Sequence, residues 1–540
     1  MRLDLIKYNQ IGRSMYVVYP DGDRLSCYEN TLVTILRDSD DNASIQKLLE
    51  NETFTALANR QRMILLFPNP EDRWDAAPGS KDLNDVLEMI RLFNLQVGFV
   101  DCGIYHNMHN ARYLVGMGTG ASLVQTIASC NCDNVAGILT VGGNLHDDAV
   151  TATRNAAVSA VLWNGSEAST DFFKKLNQTD VVEGNISKNG INGAQFVLER
   201  HTDAEPDLAE LLSFGWEQLF SKVCRPNTTN DGVMDYRYVR DDYKFIVHEN
   251  DPQLGDNGGI GHTWFEYIPE SVAKNPDKKV PLMIFNHGGA DTPGNMANTT
   301  KLHQLAEEKG FILVFPWSTN QWSWNMDMLD SMYDDAAYMD ALIEYMVKTY
   351  PVDESRVYMA GFSNGSAMSQ VYAMTRPEKV AAVFANNTRF AQDRNTKPFA
   401  IAGAKKLNYD YRMPVWYIYG TRDMEYPAVR GSGQQVAYDF WKSYNNITCK
   451  ETPYIYEPAS CGVGVPGDVI EEKFPNPQFP DRKVTTHRFF SNDPKPLNLY
   501  NYTLVDGKGH DANPEDGWLA WDFISKFRRM KDGSLGFVEE

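Results

Sequence analysis

Arg356-Val357-Tyr358-Met359-Ala360-Gly361-Phe362-Ser363-Asn364-Gly365-Ser366-Ala367-Met368-Ser369 predicts a buried strand over Val357–Ala360, a sharp turn over Gly361–Gly365, and a helix that starts among small residues. The turn fits G-x-S-x-G. In that pattern a serine stands on a strained strand-to-helix turn, and the glycines two residues to either side let neighbouring backbones approach closely. The helix N-terminus behind the serine favours negative charge developing at an oxyanion. The bare pattern is frequent by chance, and the strand-turn-helix context gives it weight.

The whole chain sets the bounds. Its 540 residues are too many for one core and suggest two or more domains. A net charge of −20 argues against nucleic acid or an anionic membrane surface as partner. Met1–Gln10 has no apolar core of a leader, and no later stretch is apolar for long enough to span a bilayer. Seven cysteines (Cys27, Cys102, Cys130, Cys132, Cys224, Cys449, Cys461) are an odd, scattered set that suits a reducing compartment. A Cys449–Cys461 bridge is the minor alternative. These features predict a cytoplasmic protein.

Taken in order, the chain repeats itself. Tyr16–Pro20 resembles Trp264–Pro269, Leu32–Arg37 resembles Leu282–His287, Ile64–Pro68 resembles Ile312–Pro316, and Tyr113–Ala121 resembles Tyr358–Ser366. Trp74 and Trp322 follow their strands at the same offset. Short apolar strands alternate with helix-length amphipathic stretches, which predicts α/β units around a mostly parallel sheet. The expectation is a tandem duplication with domains at 1–227 and 238–540, joined by a linker within Cys224–Asp242. The first copy has Gly118 where the second has Ser363, Arg37-Asp38 where the second has His287-Gly288-Gly289, and Ala168 opposite the acid. His201 is at most a relic. That copy is expected to be non-catalytic, which leaves packing, dimerisation of the chain or roofing the active domain as its roles.

In the second copy the other parts of an acyl-transfer site follow in the order serine, acid, histidine. Val415–Tyr419 is a buried strand and Gly420-Thr421-Arg422-Asp423 the turn after it, which makes Asp423 the acid, with Glu425 as its rival. Leu499–Val505 feeds the loop Asp506-Gly507-Lys508-Gly509-His510, and His510 is the general base. Phe285-Asn286-His287-Gly288-Gly289 ends an earlier strand, so the oxyanion donors are assigned to Asn364 and Gly289, with Gly288 the alternative and His287 a structural prop. Trp324, Trp322, Phe362 and Trp518 are candidates for an apolar acyl or aryl pocket. His106 and His109 do not complete a metal motif. No cofactor is expected.

These residues resemble a known group. Pro281–Pro316, Asp335–Val383 and Met413–His510 look like the esterases that include polyhydroxybutyrate depolymerases and feruloyl or acetylxylan esterases. The shared pattern is an H-G turn, a G-F-I-L-V-F-P strand, W-x-W (Trp322, Trp324), Tyr350–Tyr358 leading into G-F-S-N-G, then Y-G-T-R-D and G-K-G-H. The resemblance implies an α/β-hydrolase fold, a Ser-His-Asp triad and carboxylic-ester substrates. Three departures stand out. A Trp-Pro pair is missing after His510, the chain looks cytoplasmic and duplicated, and a Pro/Gly-rich stretch at 449–487 has no match in the first copy and reads as a lid or specificity loop.

The expected function is a serine carboxylesterase acting on a small or oligomeric ester of aryl, feruloyl-like or hydroxyalkanoate type. The alternatives are a serine peptidase of prolyl-oligopeptidase type, which should show propeller-like repeats in the first half, and a non-catalytic binding or scaffold protein.

Overall fold

The computed structural model describes residues 1–22, 26–94, 110–130, 135–151, 156–226, 234–242, 244–255, 259–326, 333–388, 411–423, 433–448, 467–477 and 479–538. The chain divides into two compact units, Met1–Tyr243 and Lys244–Glu540.

The first unit carries β1 (Arg2–Tyr8), β2 (Arg13–Tyr19), β3 (Thr31–Leu36), β4 (Met63–Pro68), β5 (Arg112–Met117), β6 (Gly137–Val141), β7 (Ser159–Trp163), β8 (Val181–Glu183), β9 (Ile186–Lys188) and β10 (Phe196–Arg200). They form one sheet in the order β1-β2-β4-β3-β5-β6-β7-β10-β9-β8. The six strands from β4 to β10 run parallel, and the pairs at both edges are antiparallel. Every residue of β3 and β4 is buried, because a parallel sheet is covered on both faces and its strands read as continuous apolar runs. Alternate residues serve separate cores. Val33, Ile35, Leu65 and Phe67 join one cluster, while Leu32, Leu36, Ile64 and Leu66 join the other.

The composition of Cys224–Asp242 predicts a linker. Its described parts instead belong to the first unit. Strand β11 (Val223–Cys224) pairs with β12 (Asp235–Tyr236). Buried Arg225 donates to the carbonyls of Val135 and Ala157, and buried Arg237 pairs with Glu29. The polar composition that suggested a linker is spent on satisfying buried backbone.

The second unit carries β13 (Ile246–Asp251), β14 (His262–Tyr267), β15 (Val280–Asn286), β16 (Ile312–Pro316), β17 (Val352–Phe362), β18 (Ala382–Asn386), β19 (Val415–Gly420), β20 (Val469–Lys473), β21 (Val484–Phe490) and β22 (Asn498–Val505). Their order is β13-β14-β16-β15-β17-β18-β19-β22-β21-β20, the same path as in the first unit, strand for strand. The six strands from β16 to β22 are again parallel. Helices flank the sheet: Asn364–Thr375 packs on β17 and β18, and Pro514–Ile524 packs on β18 and β19. Each unit is an α/β domain of this kind, and a propeller is not what the first half forms.

The 449–487 stretch differs from the lid or specificity loop that its composition predicts. Residues 449–466 lie outside the described residues, as does Glu425. The remainder is not a lid: Val469–Lys473 pairs with Val484–Arg488 as an antiparallel edge hairpin that continues onto β22. Hairpin β8–β9 holds the same place in the first unit, so the first unit has a shorter version of this element. The Pro/Gly composition concealed a strand pair whose register is set by its neighbour β22.

Where β15 leads outward to β16 and the chain then returns to β17 on the other side, the sheet has its switch point. The segments that follow the carboxyl ends of β15 and β17 therefore leave the sheet at the place where open α/β sheets bind ligands. Gly288 follows one of those ends and Ser363 the other.

Candidate active site

Ser363 sits in the turn between β17 and the helix Asn364–Thr375 with φ 49° and ψ −121°. Such a backbone costs a non-glycine residue about 1–3 kcal/mol, and it persists because its surroundings fix it. The Ser363 amide donates to Asn386 O at 2.9 Å, and Ala367 N donates to Ser363 O at 3.1 Å. The flanking glycines are obligatory for steric reasons. A Cβ on Gly361 would lie 2.3 Å from Gly365 O, and one on Gly365 would lie 2.2 Å from Asn286 O.

Parallel register brings the strand ends together. Asn286 is level with Gly361, Phe362 with Asn386, and Gly420 with Val505. The turns after these strands therefore share one edge. His510 Nε2 lies 2.8 Å from Ser363 Oγ and its Nδ1 lies 2.9 Å from Asp423 Oδ2. A carboxylate only accepts, so Nδ1 donates to Asp423 and Nε2 is left to accept from the serine hydroxyl. The Asp423 side chain is buried. Gly420 lets the loops close on one another: its Cβ would lie 2.0 Å from Lys508 O, and Arg422 N donates to that carbonyl at 2.9 Å.

His287 is fully buried and its tautomer is fixed by its partners. Ser318 N donates to Nε2 at 2.9 Å, so the proton is on Nδ1, which bonds Gly288 O at 2.6 Å. With the Gly288 carbonyl held toward the imidazole, the amide of Gly289 in the same planar trans peptide faces the opposite way. Asn364 begins a helix, where backbone amides of the first turn lack intrahelical acceptors. Phe362 packs beside His510, ring centroids 5.2 Å apart.

The other aromatic candidates are placed differently from expectation. Trp324 is buried, donates its indole N–H to His287 O at 2.9 Å, and donates its backbone amide to the Asn364 side-chain oxygen at 2.5 Å. It braces the loop from within the core and presents no free wall. Buried Asp335 accepts the amides of Thr319 and Asn325 at 2.9 and 2.7 Å and shapes the same segment, and burial raises its carboxyl. Trp74 of the first unit donates its indole to Arg37 O at 2.7 Å and its amide to Thr119 Oγ1 at 3.1 Å. Those contacts pair Trp74 with Trp324, and the equal offset that paired it with Trp322 is misleading. Trp322 is half-buried, its carbonyl held by Ala290 N. Trp518 is not in the site: it bonds Glu308 at 3.0 Å, in the last turn of Leu302–Lys309, which leads into the amino end of β16 rather than to the carboxyl edge.

Asn387, which no sequence motif marks, donates Nδ2 to Asp423 Oδ2 at 2.7 Å. The available signal was two polar residues, Asn386-Asn387, ending an otherwise apolar strand. Among the described residues no group of His, Cys, Asp or Glu is arranged to hold a metal ion, and no helix is long and apolar enough to cross a membrane. His106 and His109 lie outside the described residues, as do Cys449 and Cys461.

Comparison with known proteins points to one group. Residues 263–394 match the family described as Esterase PHB depolymerase. The bifunctional acetylxylan esterase/xylanase XynS20E of Neocallimastix patriciarum is 25% identical over 274 residues, 50% of this chain and 34% of that protein. Feruloyl esterase B of Neurospora crassa is 30% identical over 119 residues, 21% of this chain and 39% of its own. The chain thus spans about a third to two-fifths of the length of these curated relatives. Among solved structures, an acetyl xylan esterase from Aspergillus awamori aligns over 52% of this chain and 99% of its own, at 16% identity and a TM-score of 0.36. The matched part of the second unit is similar in sequence to the polyhydroxybutyrate depolymerase, feruloyl esterase and acetylxylan esterase group.

Proposed function

We propose that the second unit is a serine carboxylesterase. The observation that carries this reading is His510, whose two ring nitrogens reach Ser363 and Asp423 at 2.8 and 2.9 Å. Ser363 Oγ attacks an ester carbonyl while His510 Nε2 takes its proton, and Asp423 holds the imidazole in the required tautomer. The tetrahedral oxyanion is received by the amides of Asn364 and Gly289. His510 then protonates the departing alkoxide, and a water activated by His510 hydrolyses the acyl-enzyme. The similarity to feruloyl and acetylxylan esterases favours an acetyl or aryl acid in the ester, with Phe362 and half-buried Trp322 beside it.

We also infer that the units arose by tandem duplication and that the first is non-catalytic. The common strand order supports this, as do the paired contacts of Trp74 and Trp324. Turnover of 4-nitrophenyl acetate and methyl ferulate by the intact chain, abolished in Ser363→Ala, is the expected result. Undiminished turnover by Ser363→Ala would refute the assignment.

A further inference from the structure

One dipeptide at the end of β18 touches every arm of this site. The Asn386 carbonyl accepts the Ser363 amide at 2.9 Å. The Asn386 side chain accepts from Lys508 Nζ at 3.0 Å and donates to Asp516 Oδ2 at 2.9 Å. The Asn387 side chain donates to Asp423 Oδ2 at 2.7 Å and to Gly509 O at 2.8 Å. Both targets of Asn387 only accept, so the orientation of its amide is dictated by chemistry.

Beneath it lies an ion pair with no exposure to solvent. Lys508 Nζ and Asp516 Oδ2 are 2.6 Å apart, with both side chains all but inaccessible. The same Asp516 oxygen accepts the Asn513 amide at 2.9 Å. Lys508 and Asn513 bracket the arch that carries His510, so Asp516 ties both ends of that arch to one point. A buried pair of this kind contributes little net stability but resists displacement strongly, since separating it strands a charge in the interior.

We infer that Asn387 is a positioning residue for the proposed hydrolysis, acting through Asp423 and the Gly509 carbonyl to fix where His510 stands. The inference rests on the esterase reading of the site. Asn387 bonds the same carboxylate oxygen that receives His510 Nδ1. It therefore confines the acid to one rotamer, while Lys508–Asp516 confines the arch. Displacing a catalytic group by even about 1 Å costs on the order of a hundredfold in rate.

The test uses two replacements that tolerate the left-handed backbone of Asn387, φ 61°. Asn387→Gly removes the donor without strain. Asn387→Asp keeps the shape but sets a second carboxylate against Asp423. The readout is kcat and KM on 4-nitrophenyl acetate, with Ser363→Ala as control and thermal unfolding to verify folding. The expected result is kcat reduced about tenfold in Asn387→Gly and further in Asn387→Asp, with KM nearly unchanged, in keeping with the loss of a charge-assisted bond. A residue that only fills space would give the reverse order, the isosteric Asp being the milder change. That order, or wild-type kcat in both variants beside an inactive Ser363→Ala, overturns the inference and leaves the esterase reading standing. A wild-type chain without Ser363-dependent turnover overturns both.

Discussion

Thr119 donates its backbone amide to Asp38 Oδ1 at 2.9 Å, and its hydroxyl donates to the same oxygen. Thr119 occupies in the first unit the place Asn364 occupies in the second, directly after the elbow residue. The turn at Gly118, φ 60°, has the same backbone hand as the turn at Ser363, and the Asp38 carboxylate lies against the amide that follows it. A Cβ on Gly118 would lie 2.4 Å from Asp38 Oδ2.

That contact predicts that Gly118→Ser alone does not create a second reactive serine. Fluorophosphonate treatment followed by peptide mapping should find no label at position 118. Because the left-handed backbone and the Asp38 carboxylate both oppose the new side chain, the variant should also be less stable by about 1–3 kcal/mol, read by urea unfolding.

Trp324→Phe removes the indole donor from buried His287 O, at a cost of about 1 kcal/mol. Because that carbonyl belongs to the turn preceding Gly288 and Gly289, part of this loss should register as lower kcat. A change confined to KM would return Trp324 to a role as pocket wall.

Two glycines near the site should behave oppositely. Gly420→Ala places a Cβ 2.0 Å from Lys508 O, with backbone on both sides, so it should destabilise by about 2 kcal/mol or more and lower activity. Gly289→Ala meets nothing closer than Asn364 Cβ at 3.8 Å, so its melting temperature should stay close to the wild-type value. Differential scanning of the two variants side by side checks the contrast.

Acid stability should depend on His487. It is buried on β21 and burial lowers its pKa from 6.5 to about 4. The folded state therefore refuses a proton that the unfolded chain accepts, so this contribution is complete above about pH 6.5 and is lost as pH falls from there toward 4. His487→Leu should flatten the urea midpoint over that window, by about 1.4 kcal/mol per pH unit of slope removed. An unchanged pH dependence would show that His487 is protonated in the folded state.

Much of this was legible because the chemistry is local in sequence. The elbow around Ser363, the strand before Asp423 and the loop before His510 each announce themselves by apolar runs ending in glycine, and the parallel sheet needs no more than their order. What was missed depends on contacts between distant segments. Trp324 looked like a pocket wall because an aromatic side chain does not state which way it faces. Trp518 looked close to His510 because eight residues are few in sequence, yet they descend a helix away from the edge. The hairpin Val469–Phe490 hid in turn-rich composition, since its pairing is set by β22. Asn387 carries no motif, and Lys508 stands within G-K-G-H with no role that the pattern assigns; the importance of both comes from a buried network that only the folded chain assembles.

The most direct test of the central claim is fluorophosphonate labelling of the intact chain with the modified peptide identified by mass spectrometry. The expected result is a single label at Ser363 that disappears in His510→Ala. A label that persists in His510→Ala, one at another serine, or none at all on the folded protein would contradict it.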